Sequence, residues 1–187
     1  MNKAIFLDRD GTINVEKHYL YRIEDWEFLP GVLDALRLFQ EKGYWLFILT
    51  NQSGIARGYF TERDYWKLDN WLKRRLAEEK IEITGTYYCP HHPEAKVEEY
   101  RRVCTCRKPG LGMFRQAVKE YNIDLSQSYA IGDKIRDLAI CDVSDCQGYL
   151  IGTNEEATVI DAVKAGNVQN VQGRENLLCC AIEICAE

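Results

Sequence analysis

The sequence predicts an α/β fold whose core is a parallel, doubly wound sheet. Apolar runs of strand length alternate with amphipathic stretches of helical length, the order that parallel strands joined by crossover helices require. The runs near 3–7, 44–50 and 128–132 each open onto a loop of acids, amides or glycines, where such sheets keep their ligand sites. A chain of 187 residues, 46% of them hydrophobic, is enough for one core with helices on both sheet faces.

Strands are expected near 3–7, 44–50, 83–88, 128–132 and 147–151, and helices near 31–42, 61–79, 111–121, 134–141, 155–165 and 174–184. Pro30 suits the start of the first helix and Gly43 its end. Thr61-Glu62-Arg63-Asp64 offers a capping box for the second. Leu177, Leu178, Ala181 and Ile182 read as the packing stripe of a closing helix. No repeat, low-complexity tract or linker divides residues 1–187, so one domain is expected. Residues 12–28 and the polar loop at 89–106 are too short for a cap domain, which leaves the mouth of the sheet open.

Four blocks carry chemistry. Ala4-Ile5-Phe6-Leu7 ends in Asp8-Arg9-Asp10-Gly11-Thr12. Acids two apart on a continuing strand would point opposite ways, and the Gly-Thr break lets both serve one site. One carboxylate can attack phosphorus while the other moves a proton. Trp45-Leu46-Phe47-Ile48-Leu49 runs into Thr50-Asn51-Gln52-Ser53-Gly54, a hydroxyl and amides able to bind phosphate oxygens. In Arg107-Lys108-Pro109 the proline keeps the lysine in extended or turn geometry. Ser128-Tyr129-Ala130-Ile131 precedes Gly132-Asp133-Lys134-Ile135-Arg136-Asp137, which brings acids to a third strand mouth, where a divalent cation would find oxygen ligands. Separately, Cys89-x-His91 and Cys104-x-Cys106, with twelve residues between, supply three thiolates and an imidazole, a closed set of the kind that structural zinc takes. Pro90 and Pro93 bracket the histidines in a segment with little apolar content to fold it otherwise.

In order, these blocks resemble the haloacid dehalogenase superfamily of aspartate-nucleophile phosphatases, over the chain from the first strand to about residue 151. Asn51-Gln52-Ser53-Gly54-Ile55-Ala56-Arg57-Gly58, and Cys89-Pro90-His91-His92-Pro93 leading to Cys104-Thr105-Cys106-Arg107-Lys108-Pro109, are most similar to its heptose-bisphosphate phosphatase branch. The resemblance implies the Rossmann-like fold of that superfamily without a large cap, and removal of one phosphate from a heptose bisphosphate in nucleotide-activated heptose biosynthesis. It also implies the roles. Asp8 is the nucleophile and Asp10 the acid and base. Thr50 and Lys108 hold the phosphoryl oxygens, with Lys108 bridging toward Asp8. Asp8, the Asp10 carbonyl and Asp133 hold Mg²⁺, and Asp137 orients Lys134 or a metal-bound water. Cys89, His91, Cys104 and Cys106 hold Zn²⁺, with His92 left out. Asn51, Gln52, Ser53, Arg57 and Arg107 join the substrate-binding set, Arg107 first among the arginines for a distal phosphate, with Arg101 and Arg102 on nearby loops. After Pro109 the chain departs from the branch, placing Gly110-Leu111 where a His-Pro or Glu-Pro pair is usual.

Composition narrows the partners. The formal charge of −5 gives no broad basic field for nucleic acid, and Lys73-Arg74-Arg75, followed by Glu78-Glu79, reads as a solvated helix face. Three of the eight cysteines sit in the zinc pattern, and Cys141, Cys146, Cys179, Cys180 and Cys185 are scattered, which fits reduced thiols better than disulfides. No leader pattern and no membrane-length apolar run are present. A cytoplasmic monomer acting on a small phosphorylated molecule is the expectation. A histidinol-phosphate phosphatase, a polynucleotide end-phosphatase and a non-enzymatic zinc module are the alternatives.

Overall fold

The structure, a computed structural model, describes residues 1–152 and 170–186. Strands β1 (Ala4–Leu7), β2 (Trp45–Asn51), β3 (Gly85–Cys89), β4 (Tyr129–Gly132), β5 (Gln147–Ile151) and β6 (Val171–Arg174) form one sheet in the order β3-β2-β1-β4-β5-β6. Every pairing is parallel. Between and after them lie α1 (Val32–Glu41), α2 (Ser53–Ala56), α3 (Glu62–Glu78), α4 (Gly112–Tyr121), a 3-10 helix (Ile135–Asp142) and α5 (Leu177–Ala186).

Side-chain alternation on β1 divides the core. Ile5 and Leu7 point to one face and pack with Val32, Leu36 and Phe39 of α1, Leu72 and Leu76 of α3, and Leu177, Ala181 and Ile184 of α5. Ala4 and Phe6 point to the other and pack with Met113, Phe114 and Ala117 of α4 and Leu138 of the 3-10 helix. Both faces are therefore covered, as a doubly wound sheet requires. Phe6 meets Phe114 edge to face at 5.4 Å, and burying a side chain of this size is worth about 1.5–3 kcal/mol. The buried residues of α1, Val32, Ala35, Leu36 and Phe39, fall at helical spacing. Gly31 and Gly43, both at positive φ, flank it. The capping box of α3 forms as the sequence indicates, Asp64 N–H donating to Thr61 Oγ1 at 3.2 Å and Thr61 N–H to Asp64 Oδ2 at 2.9 Å.

The structure departs from the sequence reading at three places. The segment expected as a helix at 134–141 is a 3-10 helix over Ile135–Asp142. Its first turn presses so closely on β4 that a Cβ on Gly132 would collide with Asp137, and the tighter winding fits that approach. Strand β6 was not foreseen: Val171-Gln172-Gly173-Arg174 is short and carries a glycine, and its pairing with β5 decides its state. It also takes the start of the helix expected at 174–184, which begins instead at Leu177. The helix expected at 155–165 lies outside the described residues.

Register positions the site. Leu7 pairs with Ile48 on one side and Ile131 on the other, so Asp8, Thr50 and Asp133 leave neighbouring strands at a common edge.

Candidate active site

Asp8 follows β1, its backbone N–H donating to Ile131 O at 3.0 Å. The chain then turns through Gly11 at φ 86°, where the Asp133 carboxylate occupies the space a Cβ would need. That close approach brings Asp8, Asp133 and Asp137 together, with one carboxylate oxygen from each lying within 4.8 Å of the others.

Lys108, 2% exposed, reaches into this group. Its Nζ donates to Asp8 Oδ1 at 2.7 Å, Asp137 Oδ1 at 2.8 Å and the Leu49 carbonyl at 2.5 Å. All three ammonium protons have partners, so its position is fixed. Burial alone would lower the Lys108 pKa, but Asp8 and Asp137 hold it above the ordinary lysine value. Burial and then the Asp137 charge push the Asp8 carboxyl up to about 7, against the pull of Lys108. The lysine is thus what favours the ionised Asp8 that a nucleophile requires.

Asp10 is oriented by donors on three sides. Arg9, buried, donates to it through Nε at 3.2 Å and Nη2 at 2.9 Å and also reaches the Leu20 carbonyl. Asn14 Nδ2 donates to Asp10 Oδ1 at 3.0 Å and Gln52 Nε2 to Oδ2 at 2.9 Å. Gln52 also donates to Thr50 Oγ1 at 2.8 Å, linking the ends of β1 and β2. Arg9 and Asn14 were not singled out from the sequence. Their signal was proximity to the acids, and which way an arginine between two aspartates turns is a tertiary matter.

The other expected site residues sort as follows. Asn51 exchanges hydrogen bonds with the Lys108 backbone, Nδ2 donating to Lys108 O at 3.1 Å and Oδ1 accepting from Lys108 N–H at 3.0 Å, so its amide positions the lysine. Asp137 does not orient the Lys134 side chain. Its Oδ2 accepts from the Lys134 backbone N–H at 3.0 Å and its Oδ1 from Lys108, while Lys134 Nζ pairs with Asp133 Oδ2 at 2.7 Å. The cause is the tight 3-10 turn, which aims Asp137 inward.

A cavity of about 320 Å³ opens above these groups. Asp8, Asp10, Thr50, Asn51, Gln52, Ser53, Arg57, Arg107, Asp133, Lys134 and Asp137, all expected from the sequence, line it; Glu16, His18, Tyr19 and Arg136 line it too and were not foreseen. Arg101 and Arg102 turn away, donating to the Ala95 and Glu99 carbonyls. His18 and Tyr19 both sit at positive φ, and the Tyr19 ring meets that of Tyr59 at 4.8 Å.

Beside the cavity, Cys89, His91, Cys104 and Cys106 converge, one ligand atom from each lying within 4.8 Å of the rest. The three sulfurs are 3.1–3.5 Å apart and His91 Nδ1 lies 3.4 Å from Cys106 Sγ. These spans are too long for a disulfide of about 2.05 Å and suit sulfurs each about 2.3 Å from a shared ion. Burial lowers the His91 pKa, favouring the neutral, ligating imidazole. His92 stands aside, its Nε2 3.3 Å from Arg57 Nη2. The Gly110-Leu111 departure falls on the turn behind Lys108. A Cβ at 110 would lie 2.5 Å from the Thr105 carbonyl and 2.7 Å from that of Arg107, so glycine suits the turn as it runs here.

Among the described residues no helix is long and apolar enough to cross a membrane. The family described as "Polynucleotide kinase 3 phosphatase" matches residues 3–148. Among curated proteins, the D-glycero-beta-D-manno-heptose-1,7-bisphosphate 7-phosphatase of Haemophilus influenzae is 53% identical over 138 residues, 74% of each chain. That of Haemophilus ducreyi is 46% identical over 170 residues, 90% of this chain and 93% of the relative. Among solved structures, the D,D-heptose 1,7-bisphosphate phosphatase of B. bronchiseptica, complexed with magnesium and phosphate, superposes with a TM-score of 0.79 at 29% identity, covering 97% of each chain. With the aspartate cluster, the buried lysine and the Cys-His cluster in place, the chain belongs to the haloacid dehalogenase superfamily of phosphatases, in its heptose-1,7-bisphosphate 7-phosphatase family.

Proposed function

We propose that this protein is a Mg²⁺-dependent phosphatase that removes the 7-phosphate of D-glycero-D-manno-heptose 1,7-bisphosphate through an aspartyl-phosphate on Asp8. The observation that carries the reading is the Asp8 carboxylate, open to the cavity and bound to the buried ammonium of Lys108, with Asp133 across from it. The donor set fits a hard cation: carboxylates of Asp8 and Asp133 at a strand mouth, each already drawing an ammonium to 2.7 Å. Asp8, the Asp10 carbonyl and Asp133 would hold Mg²⁺. When bound, the ion neutralises charge between the carboxylates and the phosphoryl oxygens.

Asp8 forms a bond to phosphorus as the bond to the sugar oxygen breaks, and Asp10 gives that oxygen its proton. Asp10, held in place by Arg9, Asn14 and Gln52, then takes a proton from water as the water attacks phosphorus. The Asp8–phosphorus bond breaks, leaving inorganic phosphate and a free carboxylate. Thr50 lines the cavity and binds a phosphoryl oxygen, Lys108 neutralises charge beside Asp8 from its buried place, and Asp137 keeps Lys108 there. The relatives' names specify the beta anomer, which makes it the first substrate to test. The site test is ³¹P NMR of the product. Loss of the 7-phosphate with retention of the 1-phosphate is expected, and release of the 1-phosphate would overturn the assignment.

Zn²⁺ held by Cys89, His91, Cys104 and Cys106 would fix the loop that runs into Arg107 and Lys108. Stripping it with a thiol-reactive mercurial and a chelator, followed by Mg²⁺ replenishment, is expected to lower both the melting temperature and turnover. Unchanged melting and full activity would sink this role. Arg107 lines the cavity and, among the described residues, its side chain has only the His91 carbonyl, 3.4 Å from Nη1, as partner. Arg107→Ala is expected to raise KM for the bisphosphate by about tenfold or more, and an unchanged KM would remove it from the site.

A polynucleotide end-phosphatase would need a basic groove leading from the cavity. The formal charge is −5, and the rim carries Glu16 among its residues.

A further inference from the structure

Three arginines line the cavity from three separate segments: Arg57 at the end of α2, Arg107 after the Cys-His cluster, and Arg136 in the 3-10 helix after β4. None has a carboxylate within ion-pair distance among the described residues, whereas Arg9, Arg37, Arg75 and Arg174 each do. Among the described residues Arg57 meets only the ring of His92, and its buried Nε has no partner. Arg107 reaches one backbone carbonyl at 3.4 Å. Arg136, exposed, makes no hydrogen bond or ion pair with the described residues, although Asp133 and Asp137 flank it in sequence. Arg136 and Arg57 both stand close enough to Arg107 to repel its charge. A fold that gathers three unneutralised guanidinium groups around one cavity is stabilised when an anion enters, and planar forks match the oxygens of a phosphate. Asp8, where the phosphoryl group is transferred, pairs with Lys108 and, among the described residues, with none of these three arginines, so their charge is left for a second anion.

We propose that Arg136 completes a three-arginine grip, with Arg57 and Arg107, for the second phosphate of the substrate, and that it sets the preference for a bisphosphorylated over a monophosphorylated sugar. This deepens the reading given above and rests on it. Arg136 enters from the same 3-10 helix that carries Asp137, the partner of Lys108.

The test is the selectivity ratio, kcat/KM for D-glycero-D-manno-heptose 1,7-bisphosphate over kcat/KM for the 7-monophosphate of the same sugar, in wild type, Arg136→Gln and Arg136→Lys. The ratio is expected to fall by about tenfold to a hundredfold in Arg136→Gln, with the loss in KM for the bisphosphate, and to be partly restored in Arg136→Lys, which keeps the charge without the fork. A ratio unchanged in Arg136→Gln, whether both substrates are unaffected or both fall alike, would overturn the proposal. A wild-type enzyme that turns over both substrates with a ratio near one would overturn the bisphosphate grip while leaving the phosphatase reading standing. A wild type that releases phosphate from neither would overturn both.

Discussion

Asp8→Asn is expected to lower phosphate release by at least about 10⁴-fold, the scale on which removing a catalytic nucleophile acts. The amide keeps the size of the side chain and can still accept from Lys108, so the packing around β1 should persist. No covalent phosphoryl intermediate can then form on residue 8. The same variant has a second, opposite signature in stability. Burial and the Asp137 charge hold the Asp8 carboxyl near 7 in the folded protein, above the ordinary value of 3.8. A raised carboxyl pKa means that the folded state binds its proton more tightly than the unfolded one. The associated stability is complete below about pH 4 and lost as pH rises through about 7. In chelator, Asp8→Asn should therefore gain melting temperature relative to wild type on going from pH 5 to pH 8. A difference independent of pH would show that Asp8 is not strained by its burial, and near-normal turnover would remove it as nucleophile.

Lys108→Met carries the largest combined effect. The lysine is buried, and its ammonium serves Asp8, Asp137 and the Leu49 carbonyl together. Methionine fills the same channel but leaves two carboxylates without their shared cation, and removing one partner of a buried ion pair costs about 3–5 kcal/mol. Turnover should fall by about 10³-fold or more, since the group that favours ionised Asp8 is gone. Mg²⁺ should restore part of the melting temperature by returning positive charge to the cluster, and little of the activity. Circular dichroism melts and initial rates, each with and without Mg²⁺, check both halves. A Lys108→Met protein with wild-type melting and rate would show that the ion-pair geometry does not govern the site.

Much of this arrangement is legible in the sequence because the features are local. A four-residue apolar strand ending in Asp-Arg-Asp-Gly, a capping box at Thr61, and Cys-x-His with Cys-x-Cys each declare themselves within a few residues. The alternation of Ile5 and Leu7 against Ala4 and Phe6 anticipates a sheet covered on both faces, although on such a short, wholly apolar run only the structure shows which helices do the covering. What could not be read depends on contacts between distant segments. β6 exists because β5 offers it an edge. Asp137 serves Lys108, 29 positions earlier, because the turn after β4 is wound tightly enough to aim it inward. Arg136, next to it, reads in sequence as one more charge in an acid-and-base run. Only the packing of three separate segments around one cavity sets it beside Arg57 and Arg107. Arg101 and Arg102 show the converse, being near the site in sequence yet held to backbone carbonyls away from it.

Initial rates of phosphate release, with Mg²⁺ and with chelator, on D-glycero-D-manno-heptose 1,7-bisphosphate beside histidinol phosphate and a 3′-phosphorylated oligonucleotide test the activity of this site most directly. Release is expected to depend on Mg²⁺ and to favour the heptose bisphosphate by at least about 10²-fold in kcat/KM, the discrimination a site built to bind specific polar groups can reach. Equal or faster turnover of either other substrate, or release that persists in chelator, would contradict the proposed activity.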